Sequence, residues 1–244
     1  MTGAGLSLSP VWSPDGHTIA YSVLGDRGWR IVTQDVAGGA AHTLPSTTTG
    51  LNTTPVFVPA GGAIAYAHGA ENGTDLMLVD LAGGGPRQIT VGRGSDNTTP
   101  CFSPDGRRIA FTSGRAGHPE VYIMDADGSN AELLTPFNFG DQNYRSNPDW
   151  SPDGQRIAFE SQLAGSFQIM VISVRDRGVK QLTSEGINED PSWAPDARHL
   201  VFTSSRTGQK QIWILDSESG RARQLTHAGG ARLAAWSRSL GTSR

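Results

Sequence analysis

VWSPDG at Val11 to Gly16, VFVPAG at Val56 to Gly61, CFSPDG at Cys101 to Gly106, DWSPDG at Asp149 to Gly154 and SWAPDA at Ser192 to Ala197 are five versions of one phrase. AWSRSL at Ala235 to Leu240 is a degraded sixth. Their aromatic anchors, Trp12, Phe57, Phe102, Trp150, Trp193 and Trp236, recur every 43 to 48 residues. A period in the forties marks a β-propeller, whose four-stranded units bury their faces only against neighbouring units.

Each unit repeats one internal order. Ser-Pro-Asp-Gly after the anchor supplies a Pro of fixed φ, an Asp that bonds its own backbone and a Gly tolerant of positive φ, so it reads as a hairpin turn. An apolar second strand follows, as in Ile109-Ala110-Phe111 and Ile157-Ala158-Phe159. The third alternates apolar and polar positions and closes on Asp, as in Val121-Tyr122-Ile123-Met124-Asp125. The fourth is short and polar, as in Arg87-Gln88-Ile89-Thr90 and Lys180-Gln181-Leu182-Thr183, which suits a blade edge facing water.

The pattern predicts an all-β fold in a single domain over 1–244, a β-propeller of six-bladed type. Five complete blades are expected over about 8–50, 53–95, 98–143, 146–187 and 189–230. Only the first strand of a sixth is expected, an orphan closing strand at about 231–238. On this reading three strands of that blade belong to sequence preceding Met1, and the chain is a portion of a longer protein. Blade edges left open in this way are expected to favour self-association.

At 244 residues, with 31 Gly, 14 Pro and 36% hydrophobic residues, the chain suits a turn-dense β protein with a large core. Net charge is −3, with the basic residues scattered, which argues against nucleic acid as a partner. No apolar run approaches the roughly 20 residues of a membrane span. The opening MTGAGLSLSP has neither the basic start nor the apolar core of a signal peptide.

Chemistry-bearing motifs are sparse, so no catalytic residue, metal site or cofactor is expected. The six histidines show no metal-ligand spacing and read as exposed, and no Gly-x-Ser-x-Gly elbow seats a nucleophile. Cys101 reads as a buried inner-strand thiol. Asp125 to Asn130 resembles part of a calcium loop, but the twelfth position, where a bidentate Glu belongs, is Pro136. A hairpin turn is the simpler reading.

A polar set recurs ahead of the inner strands: Asn52, Thr53 and Thr54 before Pro55; Asn97, Thr98 and Thr99 before Pro100; Arg145, Ser146 and Asn147 before Pro148; and Asn188, Glu189 and Asp190 before Pro191. Inner strands surround the propeller axis, so these stretches converge on one mouth of the channel. A rigid scaffold presenting such a ring suits hydrogen-bonded protein recognition, and the twelve residues are the candidate partner-binding set.

The strings Pro100 to Ser113 and Gly114 to Tyr122, together with the terminal Ala235-Trp236-Ser237, resemble the TolB family, periplasmic WD40-like propeller proteins of the Tol-Pal cell-envelope system. The resemblance covers essentially the whole chain. It implies a six-bladed propeller behind a small α/β domain, periplasmic localisation, no enzymatic activity, and docking of the lipoprotein Pal over the propeller mouth, where colicins compete. In the matching loops it points to Thr54 and Thr98, with Asn52, Asn97, Thr99 and Asn147 alongside. The alternative is the propeller of a prolyl oligopeptidase-like serine peptidase, gating substrate access. Few aromatics lie outside strand positions, which argues against a sugar-processing propeller.

Overall fold

The computed structural model describes residues 6–44, 51–92, 95–135 and 144–237. They form five antiparallel four-stranded sheets, each taking its strands in chain order. Blade I holds β1 (Ser7–Trp12), β2 (Thr18–Gly25), β3 (Gly28–Asp35) and β4 (His42–Thr43). Blade II holds β5 (Leu51–Phe57), β6 (Ala63–Ala70), β7 (Gly73–Asp80) and β8 (Arg87–Gln88). Blade III holds β9 (Asn97–Phe102), β10 (Arg108–Ser113), β11 (Glu120–Asp125) and β12 (Glu132–Leu133). Blade IV holds β13 (Arg145–Trp150), β14 (Arg156–Leu163), β15 (Ser166–Ser173) and β16 (Val179–Gln181). Blade V holds β17 (Asn188–Trp193), β18 (His199–Ser204), β19 (Gln211–Asp216) and β20 (Ala222–Gln224).

The first hairpin turn forms as its residues dictate. Ser13 Oγ donates to Asp15 Oδ1 at 2.5 Å and accepts the Thr18 amide at 2.9 Å, and the Gly16 amide donates to the Ser13 carbonyl. Ser103 with Asp105 and Ser151 with Asp153 repeat the arrangement. Asp125 and Asp127 are engaged within their own turn: Asp127 Oδ1 accepts the Ser129 amide and hydroxyl, and Asp125 Oδ2 accepts Asn130 Nδ2. The twelfth position of the calcium-like string, Pro136, lies outside the described residues.

Apolar burial lies between blades. One cluster joins Ala110, Val121, Ile123 and Leu134 of blade III to Trp150, Ile157, Phe159 and Ile172 of blade IV. Another joins Ala158, Ile169 and Val171 of blade IV to Trp193, Leu200, Phe202 and Leu215 of blade V. From blade I to blade V, each sheet packs a face on the next sheet in the chain.

A polar latch repeats beside this core. The Thr just beyond the fourth strand accepts an amide from the first half of the third strand: Leu76 to Thr90 Oγ1 at 2.8 Å, Ile169 to Thr183 Oγ1 at 2.9 Å, Ile212 to Thr226 Oγ1 at 2.9 Å. Its own hydroxyl donates to the residue that opens or lies near the start of the third strand: Asp75 at 2.8 Å, Glu120, Gln168 at 2.8 Å and Gln211 at 2.6 Å. In three blades that residue also accepts a donor from the next inner strand: Asn97 to Asp75, Arg145 to Glu120 and Asn188 to Gln168. One network thus pins the outer strand and fastens adjacent blades.

The sixth-blade assignment needs correction: the propeller is five four-stranded blades arranged in a ring. Residues 231–237 form no strand and belong to no sheet. The Ala231 amide donates to the Lys210 carbonyl at 2.9 Å and the Leu233 amide to Thr203 Oγ1 at 3.3 Å. AWSRSL repeats the anchor, but a strand exists only through a ladder along its length, and these residues have none. Residues 238–240 of that copy, and the ends of the first and third predicted units at 45–50 and 136–143, lie outside the described residues.

Candidate functional site

Every inner strand carries the same irregularity. Pairing with the second strand breaks between Leu8 and Val11, Thr53 and Val56, Thr98 and Cys101, Ser146 and Asp149, and Glu189 and Ser192. At each break the residue before Pro has positive φ: Ser9 at 55°, Thr54 at 48°, Thr99 at 48°, Asn147 at 51° and Asp190 at 55°. Leu233, at 60°, copies the feature outside any sheet. The left-handed region is uncommon for non-glycine residues and rarer still for β-branched Thr, so these bulges are imposed by the surrounding framework.

The bulges turn one ring of residues toward the axis. Ser9, Thr54, Thr99, Asn147, Asp190 and Leu233 all line a cavity of about 760 Å³ at the mouth formed by the starts of the inner strands. At the opposite mouth a second cavity, of about 520 Å³, is lined by the aromatic anchors and by Pro14, Pro59, Pro104, Pro152 and Pro195 of the turns. Val11, Val56, Cys101, Asp149 and Ser192 border both and form the waist of the channel.

The twelve predicted site residues divide by depth. Asn52, Asn97 and Asn188 are buried, and their amides reach back to the preceding blade: Asn52 Nδ2 donates to the Trp29 carbonyl at 2.8 Å, Asn97 Nδ2 to Asp75 at 3.1 Å and Asn188 Nδ2 to Gln168 at 2.8 Å. Arg145 occupies the same place in blade IV, paired with Glu120. Thr54, Thr99, Asn147, Glu189 and Asp190 line the mouth. Thr53, Thr98 and Ser146 are partly buried on the inner strands but do not line it.

The mouth also contains residues that the sequence reading missed. Glu160 of β14 accepts Ser146 Oγ at 2.8 Å, Asn147 Nδ2 at 3.0 Å and the Asp190 amide at 3.1 Å. Lys210 pairs with Glu189, and Arg232 lies on the same wall. The missed signal was the position after Ile-Ala-Phe, where Ser22, Ala67, Thr112, Glu160 and Thr203 correspond and only blade IV carries a charge. Burial pushes the carboxyls of Glu160 and Asp190 above the usual range. At the rim, Leu6, which also lines the cavity, and Leu51, Tyr144 and Ile187, each one residue before or at the start of its inner strand, are 58%, 55%, 46% and 41% exposed. They form an apolar collar around a polar opening.

At the waist, Asp149 Oδ2 accepts the Trp193 amide at 2.6 Å, and Cys101 Sγ lies 3.6 Å from Oδ1. Desolvation pushes Asp149 up to about 6, and burial raises the Cys101 thiol well above its ordinary value, so the thiol stays protonated and a poor nucleophile. Among the described residues, no group of three or more His, Cys, Asp and Glu could hold a metal ion. His68 and His118 depart from the exposed reading, since both are half-buried and bonded, to Asn52 at 2.9 Å and Glu120 at 3.0 Å.

Asp149 carries a pH prediction. Its folded carboxyl takes up a proton near pH 6 and its unfolded one near 3.8, so the stabilisation is fully present below the unfolded value and is lost as pH rises through 6. Asp149→Asn is expected to be more stable than the native chain at pH 7.5 by on the order of 2 kcal/mol, with the difference closing toward pH 4. Urea denaturation at the two pH values checks this, and a constant difference would contradict it.

The TolB β-propeller domain model matches residues 1–239. TolB from Acinetobacter baumannii superposes with a TM-score of 0.82 at 25% identity, covering 95% of this chain and 57% of that one. The chain therefore spans little more than half of that relative's length. A putative TolB from Agrobacterium tumefaciens gives 0.76 at 24% identity, covering 90% of this chain and 80% of that one. A puromycin-hydrolysing peptidase from Mycobacterium tuberculosis gives 0.69 at 17% identity, over 90% of this chain and 38% of that one, a likeness of fold. No curated protein sequence matches the chain.

Proposed function

The chain belongs to the TolB β-propeller domain family, and from that premise we propose that it is a non-enzymatic binding module of the periplasmic Tol-Pal system, docking a Pal-type lipoprotein on the mouth ringed by Thr54, Thr99, Asn147 and Asp190. One observation carries this reading: the mouth sets polar and charged side chains beside exposed apolar ones on a single face. The collar residues Leu6, Leu51, Tyr144 and Ile187 supply area to bury, while Glu189, Lys210, Asp190 and Arg232 supply groups that fix orientation. The bulges that expose this ring are built into the blades, so the surface is pre-organised and little ordering opposes docking. The waist offers no competing chemistry, because its thiol is held neutral and its carboxylate is already bonded.

Calorimetric titration of the chain with the purified soluble domain of a Pal-type lipoprotein tests the partner. Saturable one-to-one binding with Kd at or below about 10 μM is expected. Absence of heat and of complex at 100-fold higher concentration, with a chain that melts cooperatively, would overturn it.

A further inference from the structure

A second groove opens on the turn side of the propeller, between blades I and II, and its counterpart elsewhere in the ring shows what it fits. Between blades IV and V, Arg156 lies with its guanidinium carbon 4.8 Å from the Trp193 ring centroid. It also sits 3.6 Å from Asp153 and donates through Nη2 to the Ala197 carbonyl. Between blades III and IV, Arg108 covers Trp150 in the same way at 5.1 Å. In this repeat position, five residues after the turn Ser, blade I has Thr18.

The surroundings of that arginine persist without it. Asp15 corresponds to Asp153, Phe57 to Trp193 and Gly61 to Ala197, and all three line the groove together with Thr18, His42 and Leu44. The groove measures about 540 Å³, whereas the space left beside Arg156 in the corresponding place measures about 200 Å³. The Ser13 hydroxyl, donating to Asp15, holds its carboxyl below the usual range, so the groove keeps a negative charge at its rim. The slot between blades II and III differs: Ala60 replaces the Asp and Ala63 the Arg, so the carboxylate that flanks the arginine in the filled slots is missing there.

We propose that the groove between blades I and II is a guanidinium slot, which takes an arginine side chain presented by a partner protein over the Phe57 ring and against Asp15. The recognising chemistry is that of the filled slots: a cation over an aromatic face, a carboxylate beside it and a carbonyl to accept an N–H. The groove lies on the side of the propeller opposite the mouth, so this contact is independent of docking there.

The test uses N-acetyl-L-arginine methylamide and its lysine counterpart, titrated into the isotope-labelled chain and followed by amide NMR. Saturable shifts at Asp15, Thr18, Gly61 and Gly62, with Kd on the order of millimolar, are expected for the arginine probe, and weaker ones for lysine. Asp15→Asn is expected to weaken binding about three- to fivefold, and Thr18→Arg to abolish it by filling the slot from within. Equal affinity for both probes, an unchanged Kd in Asp15→Asn, or shifts confined to other surfaces would each overturn the assignment. If Thr18→Arg fails to fold, the Asp15→Asn comparison still decides.

Discussion

Replacing Glu120 by Ala is expected to cost about 3–5 kcal/mol of folding stability, far more than an ordinary surface substitution. Glu120 opens β11 with no exposure to solvent and holds three donors at once: Thr135 Oγ1, the Arg145 guanidinium and His118 at 3.0 Å. Its loss removes the Glu120 carboxylate from the Arg145 side chain, which is only 11% exposed, and frees the outer strand of blade III from its Thr latch. Glu120→Gln should cost less, because Gln168 and Gln211 accept the corresponding Thr in blades IV and V. Urea denaturation of both variants checks the ranking. A Glu120→Ala loss below about 1 kcal/mol would mean that the latch does not hold the blades.

Phe159→Ala should be comparably damaging, at about 3–5 kcal/mol. Phe159 is 1% exposed and packs from β14 into the cluster shared with Ala110, Val121 and Leu134 of the preceding blade. Truncation opens a cavity at a junction between sheets, where two rigid ladders limit collapse. Because the cavity separates blades rather than lying within one, the variant is also expected to lose cooperativity between the two sides of the junction. Calorimetric and van't Hoff enthalpies that still agree in the variant would argue against this.

How much was readable from the sequence depended on whether a feature is local. The Ser13-Pro14-Asp15-Gly16 turn and its copies, the apolar second strands and the closing aspartates of the third strands are short-range patterns, and they stand where the repeat put them. Trp236 misled because an anchor and a bulge are local, whereas a strand also needs a partner, which 231–237 do not have. The mouth was read at the level of the ring but not at the level of depth. Asn52 and Thr54 are two residues apart in one polar run, yet pleat and bulge send the first into the seam between blades and the second to the axis. The latch threonines stand in the sequence just after the fourth strands of blades II to V, but their bonds to Asp75, Glu120, Gln168 and Gln211 span 15 residues and follow only once the third and fourth strands are paired.

Docking at the mouth is distinguished from docking at the other end of the channel by filling each end in turn. Thr54→Arg with Thr99→Arg fills the proposed docking mouth, and Pro152→Arg with Pro195→Arg fills the opposite one. Titrated with the soluble domain of a Pal-type lipoprotein, the first pair is predicted to weaken binding about thirtyfold or more and the second to leave it unchanged. Binding that survives the first pair and is lost in the second would place the partner on the opposite face and overturn docking at the mouth.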